Sequence, residues 1–595
     1  MKSHSSSARI MLCAIASAVA ISSVVGFVVL ADQPPKPVVL LDQGWNTAQR
    51  HLYYYTSQGA FFMPAAWLEA LEAAEPARGR FMAPENMTRM GFVFDSASDP
   101  KNPYHWPIGF AIDTENKDGI PQAGPTCALC HNGQIEYRGK AVRIDGGQAN
   151  FNAKVFTEAL FRAVITTGKD PSRRARFTKA AVRLGYPQNR IKTDFDALYD
   201  RMSEKWQELP LDQKGNTPTG RGRADAVNGI ATAIFVGALG EKSNNRPADA
   251  PVDYPYLWDI WLFDYVQYNA SARQPMGRDV SEAMGQAGVL RLLDPTTGEI
   301  LPEAGRWHTT IRARNLYKIR SVLDLLKPPP WPEEVLGKIN RTQAAQGKAL
   351  FTANCASCHG IKIISGTTNP TEWHVPVIPL TRIGTDPTHA VNFASLTYNV
   401  TKLGLGKHTT LIEGLNTVAS AVKRQAYLNA GIPKSEWAEY DGFGRKDDSS
   451  DAIPACGYRA RPMIGVWAKG PFLHNGSVPT IYDLLSDSRP ASFVFGSPEY
   501  DPHKLGLVQD AGTGTMVLDT KLPGNSNAGH WFTNDASRPG KIGRALNDQE
   551  KFAIIEYLKG ATEADYPTDK IAKPGPQPCE DNPKWPKNWA AAATK

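Results

Sequence analysis

Thr126-Cys127-Ala128-Leu129-Cys130-His131 and, far downstream, Asn354-Cys355-Ala356-Ser357-Cys358-His359 are two copies of one pattern. Two cysteines spaced this way can each form a thioether to a vinyl group of haem, and the histidine that follows reaches the iron from the proximal side. A thioredoxin-like CxxC has no need of the following histidine, and a zinc ribbon brings two CxxC pairs close together. These copies are too far apart for one zinc knuckle and suit two separate pockets. The pattern implies two covalently bound c-type haems. One is attached through Cys127 and Cys130 with His131 on its iron, the other through Cys355 and Cys358 with His359 on its iron.

The second motif is approached by a helical run, Arg341-Thr-Gln-Ala-Ala-Gln-Gly347-Lys-Ala-Leu-Phe351-Thr-Ala-Asn354. A second run, Leu546 to Gly560 with Phe552 and Tyr557, closes the region. A small residue on the first helix and an aromatic on the last allow a close crossing, the way cytochrome c domains wrap a haem. Upstream, Lys327-Pro328-Pro329-Pro330-Trp331-Pro332 cannot continue a helix and favours an extended connector. The reading is mainly α: two cytochrome c-type haem domains with long loops and little β structure. Residues 32–330 form the N-terminal haem domain, 331–570 the C-terminal cytochrome c domain and 571–595 a tail. In the N-terminal domain, helices are expected at residues 45–57, 65–74, 152–167, 171–184, 194–208 and 224–239. Asp170 should cap the fourth of these, with Pro171 at its first position.

At 595 residues, 42% hydrophobic and 21% charged, the chain is an ordinary globular protein large enough for two or three domains. The net charge of +7 is mild for this length, and no concentrated basic run points to nucleic acid. Residues 1–31 read as a signal peptide or membrane anchor: a basic start, an apolar run over 10–31, and small-residue spacing at Val29 and Ala31. The folded part is therefore expected in the periplasm or secreted, touching membrane only through that segment. Cys456 and Cys579 could form a disulfide there, or stand as two unrelated thiols.

Each CxxCH fills one axial position of an iron, and the chemistry turns on the other. After His131 no histidine follows until His308. His51 and His105 lie upstream, and Met202, Met276 and Met284 read as core. The first iron is thus expected to be open and reactive. The second has a surplus of candidates, including His374, His389, His408, His474, His503, His530 and Met463, and a closed iron there would suit electron transfer.

The segment Ala468-Lys-Gly-Pro-Phe-Leu-His474-Asn-Gly-Ser-Val-Pro-Thr480 resembles the bacterial dihaem cytochrome c peroxidase superfamily. The methionine that ligates the electron-transfer iron in those peroxidases falls at Ser488 here, so that ligation fails. The closer likeness is to the branch of haem-dependent rubber oxygenases. It is carried by Gly44-Trp45, the first CxxCH, Arg143-Ile-Asp-Gly-Gly147, Leu257-Trp258-Asp259 and Gly524-Asn-Ser-Asn-Ala-Gly-His530. The resemblance implies His530 as the sixth ligand of the second haem, with His474 structural. The peroxidase resemblance implies a distal acid at the open iron, for which Glu282 is the candidate, whereas the rubber oxygenases use an apolar distal pocket without an acid. Trp258 is similar to the tryptophan of the peroxidase distal loop, and Trp258, Tyr265 and Tyr268 are candidate aromatic relays. The expected function is peroxidase-type redox catalysis, with electrons passing from the C-terminal haem to the N-terminal one. The oxidant would be hydrogen peroxide or dioxygen, and a small protein would donate electrons. The alternatives are a dioxygenase cleaving a hydrophobic, polyisoprene-like substrate, whose apolar pocket residues 228–237 could line, or a non-catalytic electron-transfer cytochrome.

Overall fold

The computed structural model describes residues 36–569, apart from 117, 209–213, 264, 274–275, 304, 360, 364–371, 443–455, 510–515 and 567. The segment 1–31 and Cys579 lie outside the described residues. Cys456 is disulfide-bonded, whereas Cys127, Cys130, Cys355 and Cys358 are in no disulfide. Among the described residues, no helix is long and apolar enough to cross a membrane.

The chain is mainly helical, with short strands in two- and three-stranded sheets, several of which join segments far apart in sequence. The two cysteine motifs are presented differently. The first sits in a single 3-10 turn, Cys127–Leu129, between the strands Gln122–Pro125 and Asn132–Tyr137. Thr126 caps that turn by accepting from the Ala128 amide at 3.2 Å. Strand Asn132–Tyr137 pairs antiparallel with Lys140–Asp145, which in turn pairs parallel with Val38–Leu40. Three short strands and a buried Arg50–Asp145 ion pair at 2.7 Å thus hold the first motif. Behind it, helices Ala153–Lys169, Pro171–Arg183 and Ile191–Glu208 pack together around Phe156, Leu160, Phe177 and Phe195. Asp170 caps the middle one, accepting from the amides of Ser172 and Arg173, with Pro171 at its first position.

The second motif follows directly from helix Arg341–Asn354, which crosses helix Asp548–Lys559. The crossing is as close as backbone permits: a Cβ added at Gly347 would lie 1.8 Å from the Ala553 carbonyl oxygen. Phe351 and Tyr557 meet beside it with ring centres 5.1 Å apart. The helix Asp548–Lys559 starts with a complete capping box, Asn547 with Glu550.

The proline connector is docked to the body. The Trp467 indole donates to the Pro329 carbonyl at 3.1 Å, and Gln43 donates to the Lys327 carbonyl at 3.1 Å. One hydrophobic core then runs through both halves, from Trp45, Tyr53 and Ile144 to Phe351, Trp467 and Ile554. Residues that follow the second motif also return to the first half. Helices Thr388–Ser395 and Leu411–Asn429 share a core with Val227, Phe235, Met276, Met284 and Leu316, through Phe393, Leu411, Val418 and Tyr427.

Because the Gly347 contact is backbone against backbone, no side chain can yield to relieve it. Gly347→Ala is expected to cost about 3 kcal/mol by overpacking, read as a lowered midpoint in denaturant unfolding. An unchanged midpoint would show that the helices can separate freely.

Candidate functional site: two cavities beside the cysteine motifs

Each CxxCH histidine is turned by its backbone neighbourhood. His131 pairs through Nδ1 with the Pro255 carbonyl at 2.7 Å, and His359 pairs through Nδ1 with the Arg461 carbonyl at 2.8 Å. A ring nitrogen that donates to a carbonyl fixes the tautomer and leaves Nε2 as the lone-pair ligand. Burial lowers the pKa of both, His131 to about 4, so both are neutral as ligation requires.

Beside each motif lies a cavity. The one bounded by Cys355, Cys358 and His359 has a volume of about 200 Å³. Across it stands His530, its ring centre 6.4 Å from that of His359 and the planes 35° apart. Metal–imidazole bonds are about 2 Å long, so one metal between two imidazoles sets their ring centres roughly 6.3 Å apart. The pair therefore fits a haem iron held from both faces. His474 lines the same cavity, but its ring is stacked on Tyr458 at 4.0 Å. Met463 is also on the wall, its amide taken by the Tyr566 hydroxyl.

The loop carrying His530 is fastened, although its glycine-rich sequence suggests an imidazole free to swing. Gly529 and His530 both have positive φ, +86° and +55°. This strained path is held by Arg489, whose guanidinium donates to the carbonyls of Asn527, Gly529 and His530. The same guanidinium lies 3.9 Å from the Trp531 ring, with Arg538 at 3.5 Å from that ring. Burial, followed by the neighbouring His359 and Arg489, lowers the His530 pKa to about 3.

The cavity bounded by Cys127, Cys130 and His131 is more than twice as large, about 480 Å³. His51 is not available to it, being held between Asp95 at 3.0 Å and Asp99 at 2.7 Å, and His105 is exposed. Met276 and Met284 are core. Among the described residues, no second imidazole faces His131 as His530 faces His359. The ring beside His131 is Tyr254, at 6.3 Å. One histidine from beyond the second motif, His389, does reach the wall of this cavity. It is buried, with Nδ1 unpartnered and its ring parallel to Tyr458 at 6.4 Å.

Glu282 lies on the wall of the larger cavity, on helix Met276–Gly285. Its Oε1 accepts from Gln267 Nε2 at 2.6 Å, and Arg278 stands 4.0 Å away. Burial raises the Glu282 pKa, Arg278 opposes this, and the neighbouring Asp279 adds to it. After burial, the charge of Glu282 is the next cause raising the Cys127 and Cys130 thiols, which places the acid close to the attachment atoms. Gln267 was not foreseeable from spacing; the only cue is an amide within the aromatic run Tyr265-Val266-Gln267-Tyr268. Arg489 carries no sequence signal, because its partners are backbone carbonyls.

Trp258 is not on this wall. It is fully buried, stacked on Tyr256 at 4.1 Å, and donates to the Ile464 carbonyl at 3.1 Å. Tyr256 lines the smaller cavity and directly follows Pro255, the hydrogen-bond partner of His131. Trp258 thus packs against Tyr256 and lines neither cavity. Tyr268 lines both cavities and donates to Asp253. The side chain of Tyr265 lies outside the described residues. Residues 228–237 contribute Gly229 and Ile230 to the wall of the larger cavity and then continue as a π-helix, Thr232–Ala238.

Residues 344–405 match the cytochrome c family, and residues 457–494 match the family described as RoxA-like, cytochrome c-like. The chain is 33% identical over 582 residues to the uncharacterized protein y4iJ of Sinorhizobium fredii, covering 89% of this chain and 94% of that one. It is also 25% identical over 362 residues to the uncharacterized protein y4iM of the same organism, covering 58% of this chain and 72% of that one. A cytochrome c domain carries covalently attached haem iron.

Arg489→Leu is expected to release the His530 loop and convert part of the low-spin ferric signal of the holoprotein to high spin, as His530→Ala should do completely. The readout is the ferric electron paramagnetic resonance spectrum. An unchanged low-spin signal in His530→Ala would exclude His530 as a ligand.

Proposed function

We propose that this chain, which belongs with the y4iJ protein to one family of c-type cytochromes related to the RoxA-like branch, is an exported dihaem oxidoreductase of peroxidase type. Cys127, Cys130 and His131 would hold one haem, and Cys355, Cys358, His359 and His530 the other. Hydrogen peroxide is the oxidant, taking two electrons and two protons to give two waters, with the electrons delivered by a small donor protein. When bound, a haem with an open axial position supplies the binding and redox chemistry for that reduction.

The observation that carries the reading is the part-buried Gln267–Glu282 pair on the wall of the larger cavity, beside Cys127 and Cys130. A carboxyl raised by burial keeps its proton at a pH where an exposed glutamate has lost it. Glu282 can therefore give a proton to a leaving oxygen and take one back, while Gln267 Nε2 fixes the carboxyl through Oε1. Arg278 is engaged with Asp279, and Asp279 with Arg320 at 3.0 Å, so the rest of the helix is locked in charge pairs and Glu282 is left facing the cavity. Trp258, stacked on Tyr256 of the smaller cavity wall, is an aromatic relay in this reading.

The second reading, a dioxygenase acting on a hydrophobic substrate, is favoured by one observation. The added volume of the larger cavity is lined by Ile230, Ile319, Leu323, Phe393, Leu411 and Leu415. Consumption of dioxygen in the presence of an unsaturated hydrocarbon, without peroxide turnover, would select it.

For the peroxidase, Glu282→Gln should lower kcat/KM for peroxide by about 10²–10⁴. In the wild type the acid form is full at low pH and is lost as pH rises through the raised pKa of Glu282, so turnover should decline along that limb. The decline should be missing in Glu282→Gln. Unchanged turnover in the variant would remove Glu282 from the mechanism.

A further inference from the structure

Arg461 is 5% exposed, and its Nε, Nη1 and Nη2 have no hydrogen-bond partner. A buried guanidinium left in this state is costly, because charge removed from water is stable only when paired and hydrogen-bonded. Its setting is otherwise fully built. The backbone carbonyl of Arg461 is the partner of His359 Nδ1 at 2.8 Å. Its guanidinium lies 3.5 Å from the centre of the Tyr256 ring and 5.1 Å from that of Phe263, so aromatic faces cover it. The Tyr256 hydroxyl donates to the neighbouring Pro462 carbonyl at 2.9 Å. Arg461 and Tyr256 both line the smaller cavity. The acid whose charge Arg461 reaches, Asp259, is itself buried and is not hydrogen-bonded to it.

A planar fork of donors, stripped of water and held at a cavity wall, matches a carboxylate in geometry and charge. Resting on the reading that a haem occupies this cavity, we propose that Arg461 is the binding site for a carboxylate of that haem's own propionate side chains. The positive charge beside the macrocycle would favour its reduced state. A lysine offers the charge as a single point and cannot reproduce the two-pronged contact.

The test uses holoprotein of the full chain and two readouts besides turnover. In an anaerobic potentiometric titration, Arg461→Gln should shift the midpoint of the low-spin haem to lower potential, and by more than that of the other haem. Should Arg461→Gln not accumulate with haem attached, Arg461→Lys carries the test. Its propionate-bending band in low-frequency resonance Raman spectra should shift from the wild-type position. A wild type without a low-spin, two-histidine ferric species would overturn the reading of the second haem, and the assignment of Arg461 with it. A wild type that has that species, but whose potential or propionate band is unmoved in these variants, would overturn the assignment of Arg461 alone.

Discussion

The structure depends on two hydrogen bonds, His131 to the Pro255 carbonyl and His359 to the Arg461 carbonyl. Each joins an imidazole to a backbone segment far along the chain, so neither ligand can be oriented until the long-range fold is complete. The segments that supply the carbonyls also touch each other. Tyr256, next to Pro255, stacks beneath the Arg461 guanidinium and donates to Pro462. The two sites are thus oriented by one shared piece of core, with Trp258 packed against it. Any change that moves this piece should be felt by both imidazoles.

From that shared centre the sites diverge. His359 meets a second imidazole at the spacing of a common metal, on a loop whose strain is held by Arg489. His131 instead faces a cavity more than twice as large, with an acid–amide pair on one side and aliphatic side chains on another. One site is arranged to hold its ligand set closed and the other to leave room for something to enter. In the proposed function, this inequality is what would separate an enzyme from a simple electron carrier.

Much of this was legible in the sequence. The two cysteine motifs stand out because their spacing matches the two vinyl groups of haem, and Gly347, Phe351 and Tyr557 announce the helix crossing because helical period puts them at the contact. Asp170 and Pro171 mark a helix start correctly for the same local reason. What escaped was non-local. Gln267 and Glu282 meet across a chain reversal that no period encodes, and Arg489 acts only on carbonyl groups, to which side-chain patterns are blind. The helices 388–395 and 411–429 follow the second motif, yet they pack over the cavity of the first. A proline connector marks where the chain is extended, and it does not say which surfaces later segments will cover.

The central claim is the inequality of the two irons. It is tested most directly by binding carbon monoxide to the fully reduced, purified holoprotein, with haem counted per chain. The account predicts two haems and one equivalent of carbon monoxide bound, with the haem at Cys127 and Cys130 as the site. Two equivalents bound, or none, would contradict it.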